Sequence, residues 1–329
     1  MKEPAYKRGA YKKHTQEEAE MADIRTDKAV AILTDIVERG AVKGLPIVNL
    51  PKYNIKQGKG DEEEAVLLLS DLQVGVRTPS TTLRIIAERM EKLGQAVLKI
   101  TTLQRHAITI KKLNIFLMGD MIQSEDIISK VDLDALECVI MDQIFQGTVP
   151  MLEKLMLTLI PMFPGGIDIY AVPGNHGNLG RMNAVTTNWD TMIYKIVQAK
   201  LQNYKDIRWH IADKTFYQMI PIMGKMFLIS HGDMIPRYLN IPIYGITQRA
   251  MRWQGSLGNF DYMCLGHFHT PIRMDWNMVE ILINGCFVSE DQWVLKVIGM
   301  STEPAQVFFD VHKNIGITWH YKIKLNGKK

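Results

Sequence analysis

No apolar run in this chain approaches the ~18 residues that a membrane-spanning helix needs, so an integral helical membrane protein is excluded. The opening residues, MKEPAYKRGAYKKHTQEEAE, lack the apolar segment of a secretory signal, so none is expected. Cysteine is scarce. Cys138, Cys264 and Cys286 are far apart and form no CxxC pair, which argues against a disulfide framework or a zinc ribbon. They read as reduced core thiols of a cytoplasmic protein. There is no low-complexity tract and no internal repeat. A dominant charge of one sign is missing as well. Of 39 basic and 35 acidic residues, 12 and 8 fall in residues 1–60, which leaves 27 of each for the remainder. The net charge of +4 therefore resides in the N-terminal arm, and the body has no overall pull on a polyanion.

What is present is enough apolar material, 47% of the residues, for one large α/β domain behind a short extension. Residues 1–14 read as a basic arm. Thr15-Gln16-Glu17-Glu18 fits a capping box, with a helix to about Arg39 and Gly40 as its stop. Residues 43–64, ending in Asp61-Glu62-Glu63-Glu64, read as a linker. The division is thus 1–60 for arm, helix and linker, and 61–329 for the main domain.

From Ala65 onward, short β-rich runs end abruptly in polar residues: Val66–Leu69, Ile115–Met118, Ile167–Val172, Met226–Ile229 and Tyr262–Leu265. Helical spacing follows at about 82–104, 132–158, 186–203 and 244–254. This alternation predicts a largely parallel sheet, and the β-rich stretch after 270 predicts a second sheet packed on it.

The runs end in Asp71-Leu72-Gln73, Gly119-Asp120, Gly174-Asn175-His176, His231-Gly232-Asp233 and Gly266-His267-Phe268-His269. Ligands of parallel sheets bind outside the carboxyl ends of the strands, so the five would converge on one crevice. Mixed carboxylate, amide and imidazole donors suit a borderline divalent metal. In an extended segment, i and i+2 share a face, so Asp71 and Gln73 can address one ion, while His267 and His269 reach two neighbours. Asp120 can bridge two ions about 3.5–4 Å apart. Taken singly, a strand-end Asp is usually a turn or cap, and a lone His-x-His is usually surface or core. Five in succession would each have to arise independently. His14, His106, His210, His312 and His320 stand outside these motifs and are given no functional role.

The order D-x-[H/Q], GD, GNH, HG, GHxH over about residues 65–270 resembles the signature of the calcineurin-like metallophosphoesterases. PGNHG, then NWD, HGD, IPIYGITQRA and GHFHTP are most similar to the phage-encoded and DNA-repair-exonuclease branch. The resemblance implies a four-layer α/β/β/α sandwich and two metal ions. Metal 1 would be held by Asp71, Gln73, Asp120 and His269, and metal 2 by Asp120, Asn175, His231 and His267. A hydroxide bridging the metals would attack phosphorus, with His176 as the general acid.

Three departures from the pattern stand out. Gln73 replaces the usual His, which favours Mn²⁺ or Mg²⁺ over Zn²⁺. Gln123 stands where many members carry the Asp that orients the catalytic His, and Gly177 replaces an acidic residue. Arg77, Arg181, Arg237, Arg249 and Arg252 are candidates for binding the substrate's phosphate, the first three foremost. Arg237, Tyr238, Tyr244, Arg249 and Arg252 interleave cations and aromatics, a pattern that suits single-stranded nucleic acid unless Tyr244 is core.

The expectation is a phosphodiesterase acting on DNA in the cytoplasm, the host's if the chain is phage-encoded, with a homodimer as an open possibility and no membrane partner. Open alternatives are a nucleotide or cyclic-nucleotide phosphodiesterase, a phosphoprotein phosphatase, and a non-catalytic scaffold of the same fold.

Overall fold

A computed structural model describes residues 47, 48, 50, 51, 53, 55–125, 136–179, 187–212, 214–238, 241–289 and 303–326. The arm, the capping box and the first expected helix lie outside the described residues. Among the described residues, no helix is long and apolar enough to cross a membrane.

Two sheets form the centre. The first has the order β11-β10-β1-β2-β3-β4, from β1 (Glu62–Leu69), β2 (Thr109–Met118), β3 (Ile167–Val172), β4 (Ile207–Ile211), β10 (Ala305–His312) and β11 (Gly316–Lys324). The second has the order β5-β6-β7-β9-β8, from β5 (Tyr217–Ile222), β6 (Lys225–Ser230), β7 (Tyr262–Leu265), β8 (Ile272–Trp276) and β9 (Val279–Ile283). Strands β1 to β4 run parallel, as do β6, β7 and β9.

Period-2 alternation assigns each face. Ala65, Leu67 and Leu69 of β1 pack with α1 (Leu83–Gln104), α2 (Val149–Leu159) and α3 (Trp189–Lys200), whereas Val66 and Leu68 pack against the second sheet. On the far side, Met263 and Leu265 of β7 meet Ile246, Ala250 and Trp253 of α4 (Ile243–Leu257). Three apolar layers thus separate four layers of structure, α/β/β/α. Leu67 and Leu68 are wholly buried, so truncating either to Ala should cost roughly 2–5 kcal/mol.

Several expectations need correction. Strands after residue 270 do not form a sheet of their own: β8 and β9 join β6 and β7, while β10 and β11 extend the first sheet. Hydropathy shows that a segment is a strand but not which edge it will find. Strands β4 and β5 went unread because β4 is only five residues long, though Ile207-Arg208-Trp209-His210-Ile211 alternates strictly, and β5 contains Pro221, which it tolerates at the edge of its sheet.

The supposed linker end, Glu62–Glu64, is the start of β1. Its charges are absorbed laterally: Glu62 by Lys111, Glu64 by Lys112 and Asn114, and Glu63 by Thr318. The helix expected over 132–158 begins only at Ile140 among the described residues, and passes through a π turn, Gln143–Thr148, before α2. That turn brings Gln143 inward, where Oε1 accepts from Ser124 N at 2.9 Å and Nε2 donates to Cys138 O at 3.0 Å.

Candidate metal centre

Strands β1, β2, β3, β6 and β7 all deliver their carboxyl ends to one crevice, and the motif residues meet there. Backbone bonds lace the loops together: Asp71 N donates to Gly119 O, Gln73 N to Asp120 O, and Phe287 N to Asp71 O. Asp71, Gln73, His267 and His269 were expected to be extended, but they and Asp120 all have φ between 46° and 65°. Left-handed backbone at a non-glycine residue costs of order 1 kcal/mol or more and persists where function holds it. Five such residues within one crevice are therefore a signature of a site. Their neighbours must be small: a Cβ on Gly174 would lie 2.2 Å from Asp120 Oδ1.

Around Asp120 the polar atoms are arranged for a cation. His231 donates Nδ1–H to Met118 O at 2.7 Å, which turns Nε2 into the crevice. Nε2 lies 3.0 Å from Asp120 Oδ2 and 3.1 Å from Asn175 Oδ1, so a proton bridges them in the metal-free protein and a metal ion would take that proton's place. Ligand atoms of Asp120, His231 and His267 all lie within 4.8 Å of one another. Burial works against ionisation of Asp120, yet His231, His176 and His267 outweigh it and hold the carboxyl well below its usual range. Burial would likewise lower His231, but Asp120 pushes it up to about 10. The pair demands a positive charge between its members, and a divalent cation supplies one. His267, by contrast, is lowered to about 2 by burial and by His231, so it stays a neutral donor.

A second group lies beside the first. His269 Nε2 is 3.3 Å from Asp71 Oδ1 and 3.3 Å from Gln73 Nε2. Gln73 Oε1 is buried without a hydrogen-bond partner, an expensive state for an amide oxygen unless a cation takes it. Asp71 is fixed from behind: Ser70 Oγ donates to its Oδ2 at 2.5 Å, and Asn284 Nδ2 donates to Ser70 Oγ at 3.0 Å. His267 and His269 thus face two neighbouring groups, as the spacing suggested, though through left-handed backbone and not an extended segment.

His176 lies between the groups, with Nε2 3.9 Å from Asp120 Oδ2 and 3.5 Å from Gln73 Nε2. Its Nδ1–H donates to the backbone carbonyl of Gln123 at 3.0 Å. A main-chain oxygen of Gln123, and not its side chain, thus orients the ring. Gln143 steadies that carbonyl through Ser124.

Arg237 stands at the rim, its guanidinium 5.6 Å above the Phe268 ring. Arg77 is exposed on the loop after Gln73, outside the cluster. Arg181 lies outside the described residues.

Three contributors escaped the sequence reading. Asp190, wholly buried at the start of α3, accepts from Asp120 N at 2.9 Å and Gly174 N at 2.8 Å through Oδ2, and from Met121 N at 3.0 Å through Oδ1. It ties the GD and GNH loops together, and Asn188 caps its helix through Asp190 N. The only signal was the NWD tripeptide, quoted for resemblance and given no role. Gln143 gave no local signal. Cys286, read as a core thiol, is hydrogen-bonded to His269.

No family model and no curated protein sequence matches the chain. Among solved structures, it is similar to an archaeal phosphodiesterase (TM-score 0.37, 12% identity, covering 79% of this chain and 99% of that one). It is also similar to a predicted phosphoesterase of Streptococcus pneumoniae (0.33, 10%, 79% and 98%) and to zinc-complexed Vps29 of Entamoeba histolytica (0.35, 11%, 80% and 99%).

Proposed function

We propose that the protein is a metal-dependent phosphodiesterase of the metallophosphoesterase type that acts on DNA. The observation that carries this reading is the buried convergence of Nε2 of His231, Oδ2 of Asp120 and Oδ1 of Asn175, a set that needs positive charge between its members, which a divalent cation would supply in place of a proton. Asp71, Gln73, Asp120 and His269 would hold one ion, and Asp120, Asn175, His231 and His267 the other. Two bound divalent ions supply Lewis acidity at the phosphoryl group and an activated water. Mn²⁺ or Mg²⁺ suits the Gln73 carbonyl better than Zn²⁺.

The protein's own contribution is positioning and proton transfer. His176, with Nδ1–H tied to the Gln123 carbonyl, presents Nε2 to the crevice, where its proton can pass to the departing oxygen. Asp71 and Asp120 are the two carboxylates among the expected ligands, with Asp190 and Asp233 beyond them, so two divalent ions would keep their positive charge where a phosphate would meet them. Arg237 at the rim extends that charge outward.

A panel with Mn²⁺ tests the reading: single- and double-stranded DNA, RNA, a cyclic dinucleotide and bis(p-nitrophenyl) phosphate. DNA and the small diester should be hydrolysed, and EDTA should abolish both activities. Cleavage of the cyclic dinucleotide without DNA would move the substrate to small nucleotides. Inertness toward every diester would leave a scaffold.

A further inference from the structure

The segment following His231 builds a surface that metal binding does not explain. Tyr238 and Tyr244 are 64% and 61% exposed, with ring centroids 5.8 Å apart and planes inclined by 51°. Tyr244 is therefore not core. Ile241, bonded to Tyr238 through the backbone, is exposed too, as are Met234 of the same loop and Met251 of α4. Single exposed apolar residues are ordinary, but a contiguous group marks a contact surface.

The rings stand on a rigid base. Tyr238 and Ile241 exchange both backbone bonds, at 3.2 and 2.8 Å, and Ile235 N donates to Gly232 O at 3.0 Å. Arg249 Nη2 donates to Met234 O at 2.9 Å and its guanidinium lies 5.6 Å from the Trp253 ring centre, so this arginine fastens the loop to α4. A Cβ on Gly245 would lie 1.9 Å from Pro236 O: helix and loop backbones touch directly. Ile235 is buried in the same core as Ile246 and Phe268. The ordering of the rings is thus met by folding and not by binding.

The surface also runs into the metal centre. Arg237, the neighbour of Tyr238, lies over Phe268, which sits between His267 and His269. Outward from the imidazoles come a cation and then two open aromatic faces. A protein partner has no need of a cation aligned with the hydrolytic centre, whereas a nucleotide chain offers phosphate and base in that order.

Resting on the phosphodiesterase reading above, we infer that Tyr238 and Tyr244 form a stacking shelf for unpaired bases beside the scissile phosphate, which makes the enzyme select single-stranded over duplex DNA. Ring faces can take a base only when it is out of the double helix, and stacking is indifferent to sequence. Arg237 takes the adjoining phosphate.

The test compares wild type with a Tyr238→Ala/Tyr244→Ala double variant and its Phe/Phe counterpart, in the full chain with Mn²⁺. Both rings are exposed, so folding should survive, as thermal unfolding will verify. The Ala pair should raise KM for a labelled single-stranded oligonucleotide by roughly 10- to 100-fold. It should leave bis(p-nitrophenyl) phosphate turnover unchanged and erode the preference over the matching duplex, while the Phe pair retains wild-type KM. Unchanged single-strand KM in the Ala pair, or an equal loss on duplex, would overturn the shelf. A change of oligomeric state by sedimentation would instead make the surface an interface between copies. A wild type that hydrolyses the diester but cleaves neither DNA form would refute the DNA reading itself, a result distinct from cleavage that ignores the tyrosines.

Discussion

Replacing Asp190 with Asn separates the cost of building the centre from its use. The carboxylate is wholly buried and accepts three backbone N–H groups, yet burial and the charge of Asp120 raise it from 3.8 to about 6. A carboxyl raised on folding stabilises the metal-free fold fully below its unfolded pKa. That stabilisation is lost as pH rises from about 4 through 6. At 1.36 kcal/mol per pH unit, the span amounts to about 3 kcal/mol. Asn cannot ionise, so the part of the slope that belongs to Asp190 should vanish.

The amide keeps one oxygen for Asp120 N and Gly174 N but turns its NH₂ toward Met121 N–H, leaving a buried donor unmatched at a cost of about 1–3 kcal/mol. At pH 7.5 in EDTA the two effects nearly cancel, and the variant should be as stable as wild type or up to about 2 kcal/mol more stable. With Mn²⁺ the order reverses. The GD and GNH loops lose part of their tie, and metal affinity should fall roughly 10- to 100-fold, as for other supports behind metal ligands. Calorimetric unfolding from pH 4 to 8, with and without metal, and metal titration at pH 7.5 read both halves. A wild-type pH slope that persists in Asp190→Asn, or an unchanged metal affinity, would refute the reasoning.

Asp120→Ala should abolish turnover and at least one of two bound metals, measured by elemental analysis, because Asp120 is the one residue expected to ligate both ions. His176→Asn should keep metal stoichiometry and slow turnover by roughly 10²- to 10⁴-fold, whereas loss of metal in a calorimetric titration would make His176 a ligand. Gln73→His should tighten one site and shift preference toward softer ions, and unchanged titrations would show that residue 73 does not bind metal. Deleting residues 1–14, which carry Lys2, Lys7, Arg8, Lys12 and Lys13, should flatten the salt dependence of DNA binding by ~0.7–0.9 for each phosphate the arm neutralises, with small-diester turnover unchanged. Identical slopes for both chains would remove the arm from binding.

Local chemistry was legible where it is written in adjacent residues. Strands Ile167–Val172 and Tyr262–Leu265 begin and end where the apolar runs do, and α1 begins after Thr82, whose hydroxyl caps it. The motif residues were readable because each follows a buried strand, and the parallel strands of both sheets send their ends to one side. Folding alone decided what depends on partners distant in the chain. Gln123 gives His176 a carbonyl 53 residues away, and Asp190 joins loops 70 and 16 residues from it. The left-handed turns at Asp71 and His267 arise from close packing of separate loops, which no spacing rule encodes. Tyr244 carries the same helical periodicity whether it faces core or solvent, and only the packing of Gly245 on Pro236 turns it outward. A sequence specifies what each segment offers, but burial, register and hydrogen-bond partners are properties of pairs of segments, and they exist only once the chain has closed on itself.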